Sequence, residues 1–172
     1  SKIPGIEFST GSLGHGLSYS AGVAFAMQKK KQNKKKIFCL LGDAELNEGS
    51  VWEAVIFASK NNLSNLVAMV DYNKIGSSDF LKNYISTKPL AVAWEKIGWK
   101  VHYVDGNNFL AIDKIIRQIL MKKSSKPNVI ILDTIKGKGL SFMENEPIWH
   151  VKGLDKKLYD LAMKELKVDN AS

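Results

Sequence analysis

The sequence predicts an α/β fold, a doubly wound and mostly parallel sheet with helices on both faces. Three observations carry that expectation. Short unbroken apolar runs have strand length, as strands buried on both faces require. Segments between them carry apolar residues at helical spacing. Polar residues, Asp43 and Asn73 among them, follow the ends of the apolar runs, and in such sheets ligands collect at the carboxyl ends of strands.

A glycine-rich stretch leads into Leu17–Lys30, where small and apolar residues recur with helical period. Ile37–Leu41 is an apolar run ending at Gly42 and is expected to be a strand. The loop Asp43–Gly49 then opens into a helix over Ser50–Asn61, with Ser50 as N-cap and Val51, Ala54, Val55 and Ala58 as its apolar stripe. Leu66–Asp71 is a second buried strand. A helix near Leu90–Ile97, a strand at Lys100–Val104 and a helix over Phe109–Lys122 follow. The last of these places Phe109, Ile112, Ile116, Ile119 and Leu120 on one face. Val129–Asp133 is the fourth strand, and after a long loop a helix over Lys156–Leu166 closes the chain. Strands separated by helices imply right-handed crossovers.

The 172 residues are 45% hydrophobic and 24% charged, the composition of one soluble domain with a sizeable core, and no internal boundary divides it. No apolar run reaches the length of a membrane span and no export signal opens the chain, so cytoplasmic residence is expected. The single cysteine, Cys39, lies in an apolar run and reads as a buried, reduced hydrophobe. The net charge of +8 raises the question of nucleic acid. Six lysines between Lys29 and Lys36 account for most of it, and without them the charge is +2. That tract reads as a solvated helix end and turn, where cations suit the helix dipole, so neither nucleic acid nor a membrane is expected as partner.

Two strand ends about one βαβ unit apart each present a hard oxygen donor, the carboxylate of Asp43 and the amide oxygen of Asn73. Mg²⁺ takes such ligands, with positions left over for phosphate. Both residue types also serve plain turns, through side-chain bonds to the backbone.

Gly42-Asp43-Ala44, followed by 28 residues and Asn73, resembles the thiamine-diphosphate motif that begins Gly-Asp-Gly and ends in asparagine. It stands within a longer match: Thr10–Gly16 before it, Leu46–Gly49 inside it and Asp71–Ile75 closing it. Gly98-Trp99, Asp105–Asn107 and Lys136–Gly139 extend the match. In order and spacing these resemble the transketolase family, above all the N-terminal subunits of split transketolases, over about Pro4 to Asp155.

The resemblance implies two cofactors, thiamine diphosphate and Mg²⁺. Asp43, Asn73 and the backbone carbonyl of Ile75 would hold the metal, with Gly42 and Ala44 beside the diphosphate. Gly11 and Leu13 would lie against the aminopyrimidine ring, which a backbone without Cβ can approach closely. Glu48 resembles the family's glutamate that links two active sites across an interface; as an ordinary acidic residue it would stabilise the start of the next helix. His150 resembles the histidine that reaches the diphosphate and the reacting carbon, and a neutral imidazole exchanges protons near pH 7. Lys136 is a further candidate for a phosphate oxygen. The implied activity is transfer of a two-carbon ketol unit from a ketose phosphate to an aldose acceptor.

The partners implied are sugar phosphates and a pyrimidine-binding domain or C-terminal subunit, in a dimer or heterotetramer. Ala44 stands where the family has glycine, and Val151 where glycine is common after the histidine. The family's preceding segment, with further catalytic histidines, has no counterpart in these residues, so residues 1–172 read as a domain incomplete on its N-terminal side. A deoxyxylulose-phosphate synthase, which shares the metal motif, and a non-catalytic scaffold that binds a partner are the alternatives.

Overall fold

In the computed structural model, which describes residues 3–32, 34–77, 79–83 and 88–166, four strands form one parallel sheet. They are β1 (Ile37–Gly42), β2 (Leu66–Tyr72), β3 (Lys100–Asp105) and β4 (Asn128–Asp133), in the spatial order β1-β2-β4-β3. The helices are α1 (His15–Lys29), α2 (Gly49–Lys60), α3 (Lys88–Ile97), α4 (Phe109–Met121) and α5 (Lys156–Glu165).

The strand order explains the helix layers. The chain advances from β1 to β2, skips a position to β3 and then returns to β4. Right-handed crossovers place forward and returning connections on opposite faces. Leu17, Ala21 and Ala24 of α1, Val51, Val55 and Ala58 of α2, and Trp94 of α3 accordingly share one core with Cys39, Leu41, Leu66, Ala68, Val129 and Ile131. On the other face Ile112, Ile115, Ile116 and Ile119 of the returning helix α4 pack on Val67, Met69, Ile130, Leu132 and Val104. The expected doubly wound architecture is therefore present.

Three local expectations are corrected. The apolar run of β1 is not buried on both faces: β1 is an edge strand, with Cys39 and Leu41 in the core and Phe38 and Leu40 exposed on the other face. The N-cap of α2 is Glu48, whose side chain makes no capping bond, so Ser50 sits inside the first turn. Phe109 and Leu120 do not join the buried stripe of α4, being 80% and 53% exposed. Phe109 is the first residue of α4 and lies outside the cluster that packs on the sheet. Leu120 sits on the flank of a stripe centred on Ile115, Ile116 and Ile119.

The lysine tract is the expected helix end and turn: α1 stops at Lys29, Lys31 takes φ 56° and β1 begins at Ile37. Lys36 Nζ donates to the Ser64 carbonyl at 2.7 Å, and partial burial lowers its pKa. Cys39 is buried and its thiol pKa is raised, chiefly by that burial. No helix among the described residues is long and apolar enough to cross a membrane.

Candidate cofactor site

Parallel pairing brings the ends of β1 and β2 side by side, with Gly42 opposite Asp71. Asp43 follows Gly42, and its N–H donates to the Asp71 carbonyl at 3.2 Å, extending the ladder by one residue. The chain then tightens into a 3₁₀ turn over Ala44–Asn47, capped by the Asp43 side chain. Asp43 is only 1% exposed. Its Oδ1 accepts from the Ala44 N–H at 2.8 Å and its Oδ2 from the Lys74 N–H at 2.6 Å. Burial pushes this carboxyl up to about 6, against the pull of those two N–H donors, and the neighbouring Asp71 carboxylate adds to the rise.

The loop after β2 is shaped to meet it. Lys74 adopts φ 68°, a left-handed conformation that side chains other than glycine seldom take, and this turns its N–H onto Asp43. Its ammonium pairs with Asp133 at the end of β4. Asn73 Oδ1 accepts from the Ile75 N–H at 3.0 Å, while its Nδ2 donates to Asp71 Oδ2 at 3.1 Å. Thr134 Oγ1 in turn donates to Asp71 Oδ1. Asp71 thus fixes which way the Asn73 amide faces. The bridge between Ile75 and Phe80 uses the N–H groups of Gly76 and Leu81, so among the described residues no donor occupies the Ile75 carbonyl.

The glycine-rich loop lies against the same region. Gly14 takes φ 81°, and a Cβ there would come within 2.4 Å of Ser50 Oγ and 2.7 Å of Glu48 Cβ. By contrast, a Cβ on Gly11 or Gly42 would meet nothing within 4 Å, so these two faces are open. Glu45 joins the two loops: Oε1 accepts from the Gly14 N–H at 2.8 Å and Oε2 from the Gly42 N–H at 3.1 Å. Gly14→Ala is expected to destabilise the fold by about 2–4 kcal/mol, from left-handed strain and the forced displacement of Ser50 and Glu48. Denaturant unfolding of the variant measures it; Gly11→Ala, with open space and no positive φ, is the near-neutral control.

These groups fit a hard divalent cation: one buried carboxylate, one oriented amide oxygen and one unoccupied carbonyl, all oxygen donors. Leu13 is 57% exposed on the glycine-rich loop. Glu48 is exposed at the start of α2. His150 is exposed at the end of a short 3₁₀ turn, Pro147–His150. No described bond joins it to the loops of Asp43 and Asn73; its segment is anchored instead by Trp149, whose Nε1 donates to the Phe142 carbonyl at 2.8 Å. The Lys136 carbonyl accepts from the Asn145 N–H at 3.0 Å.

Comparison with known proteins gives the family. The family described as "Transketolase, thiamine diphosphate binding domain" matches residues 1–170. The chain belongs to the transketolase family. It is 42% identical over 166 residues to an apulose-4-phosphate transketolase subunit from Actinobacillus succinogenes, covering 96% of this chain and 59% of the relative. A 6-deoxy-6-sulfo-D-fructose transketolase subunit from a Clostridium species is 37% identical over 172 residues, covering 99% and 61%. The transketolase structure from Campylobacter jejuni superposes with a TM-score of 0.86 at 31% identity, over 96% of this chain and 27% of that one. The chain thus spans about six tenths of the length of the curated subunits it matches.

Within the transketolase pattern, the departure at Ala44 is harmless to the backbone. Ala44 has no positive φ, so the position does not demand glycine. Two matching segments serve the fold. Gly98 takes φ 115° with Ser59 too close to admit a Cβ, and Trp99 is buried, its Nε1 donating to the Val55 carbonyl at 2.9 Å. Gly106 packs on Leu132 and Thr134, and Asn107 Oδ1 accepts from the Ile135 N–H at 2.9 Å, steering the loop that leaves β4. Nothing in the sequence marks Glu45 or the Thr134–Asp71–Asn73 chain. An acidic side chain in a turn carries no mark of the backbone groups it will reach 31 residues away.

Proposed function

We propose that this chain is the diphosphate-anchoring part of a thiamine-diphosphate-dependent transketolase that moves a two-carbon ketol unit from a ketose phosphate to an aldose acceptor. The observation that carries the reading is the buried Asp43 carboxylate held against the Asn73–Ile75 loop at the carboxyl ends of two adjacent parallel strands. When bound, the cofactor supplies the carbanion chemistry of ketol transfer, and the protein supplies position and charge compensation.

Asp43, Asn73 and the Ile75 carbonyl hold Mg²⁺ in this reading. The open faces of Gly42 and Gly11 leave room for the diphosphate and for the ring. Ala44 lies beside the diphosphate and Leu13 beside the aminopyrimidine. His150 exchanges a proton with substrate hydroxyl groups, Lys136 offers its ammonium to a phosphate oxygen, and Glu48 faces a second active site across an interface. The apulose-4-phosphate transketolase subunits among its relatives support a split arrangement with a partner subunit. In this reading a C-terminal partner brings the pyrimidine-binding half, in a dimer or heterotetramer working in the cytoplasm.

The test is ketol transfer from a ketose phosphate, with and without a C-terminal transketolase subunit from the same source. Turnover is expected only when both parts, thiamine diphosphate and Mg²⁺ are present. Substantial transfer by this chain alone, or none in the complete mixture, overturns the reading.

A further inference from the structure

We infer that Glu45 is a positioning residue that locks the glycine-rich loop to the diphosphate loop, so that the two ends of the cofactor meet a preset site. This rests on the cofactor reading above. The geometry is specific: one carboxylate accepts from the backbone N–H of Gly14 through one oxygen and from that of Gly42 through the other.

Those two N–H groups belong to different elements. Gly14 is the N-cap of α1, and Gly42 ends β1. Neither loop holds the other through another described side-chain bond across this gap. Gly14 takes φ 81° against Ser50 and Glu48, so the carboxylate grips the loop at a residue that has no room for a Cβ. Hydrogen bonds to an ionised acceptor are about twice as strong as neutral ones, and the Gly14 bond is partly buried, where it is less weakened by water, while the Gly42 bond is exposed. A site assembled before its ligand arrives loses less entropy on binding. The consequence of the clamp is a coupling: ring and diphosphate bind as one unit because the two loops cannot move apart.

The chemistry of the acceptor makes this separable from general support. Glutamine has nearly the same shape and one carbonyl oxygen, but its NH₂ group would face an N–H donor, so only one of the two bonds survives. In the complete enzyme, Glu45→Gln is expected to weaken thiamine diphosphate binding roughly tenfold, while binding of inorganic pyrophosphate with Mg²⁺ changes less than about twofold. Pyrophosphate reaches only the diphosphate loop and does not depend on the Gly14 arm of the clamp; the Gly42 arm lies within that loop and accounts for the small loss that remains. Equal losses for both ligands, or loss for neither, overturn the proposal.

A second measurement needs no cofactor. Amide hydrogen exchange is expected to be at least about tenfold slower in the wild-type protein than in Glu45→Ala at both Gly14 and Gly42, and than in Glu45→Gln at whichever of the two has lost its acceptor. Equal exchange in all three overturns the clamp. A wild-type enzyme that binds no thiamine diphosphate refutes the cofactor reading instead, and the exchange experiment still decides whether the two loops are locked.

Discussion

Replacing Asp43 by asparagine is expected to reduce Mg²⁺-dependent thiamine diphosphate binding by at least about a hundredfold, since loss of an outer-shell partner alone costs a metal site about 10–100-fold and Asp43 supplies the only charge among the three proposed ligands. The fold should survive. Asparagine keeps the shape and one acceptor, which serves either the Ala44 or the Lys74 N–H, while its NH₂ group faces the other donor. That mismatch costs on the order of 1–3 kcal/mol. Removal of a buried negative charge offsets it above pH 6, where the wild-type carboxylate is ionised. Calorimetric titration of cofactor with excess Mg²⁺, together with thermal unfolding of the unliganded protein, separates the two effects. An affinity within tenfold of wild type would remove Asp43 from the metal site.

The second large effect is a pair of opposed pH dependences with one origin. In the unliganded protein, burial raises the Asp43 carboxyl from 3.8 to about 6. A raised folded-state value means that the neutral form is favoured by folding. The stability from this group is complete below about pH 4 and is lost as pH rises to about 6. A shift of that size corresponds to about 3 kcal/mol. Metal binding needs the ionised form, so cofactor affinity runs the other way: flat above pH 6 and falling about tenfold per unit below it. Unfolding and Mg²⁺-dependent cofactor binding measured from pH 4.5 to 8 should therefore slope in opposite senses. Asp43→Asn should remove this group's share of both slopes. A binding curve that stays flat down to pH 5 would show that another ligand carries the charge.

These effects depend on features of different visibility. Strand β2 was plain because a strand buried on both faces must be apolar without interruption, as Leu66–Val70 is; Ile37–Leu41 is as apolar, yet Phe38 and Leu40 are exposed because β1 lies at the sheet edge, which an apolar run does not reveal. The stripe of α2 was equally plain, and Val51, Ala54, Val55 and Ala58 are all buried. Asp43 and Asn73 could be singled out because each follows such a strand, and pairing of β1 with β2 brings their loops together. The Ser50 cap failed because several residues near a helix start can cap it, and backbone path, not side-chain type, decides which one stands at the boundary. Phe109 and Leu120 failed because helical period gives the direction of a stripe but neither its width nor where along the helix packing begins: Leu120 lies on the flank of the buried stripe and Phe109 at the helix start.

By itself, then, the sequence determined the alternation of strands and helices, the hand of the crossovers and the two oxygen donors at strand ends, since each follows from local periodicity and from the handedness of the connections; the strand order, which sets each helix on its face and the two ends side by side, came from the tertiary structure. Only the tertiary structure decided that Lys74 turns its N–H onto Asp43, that Asp71 orients Asn73 and that Glu45 ties Gly14 to Gly42. Those are contacts between residues about 30 positions apart or between neighbours in an unusual turn. Their geometry comes from packing the loops together, which no local pattern encodes.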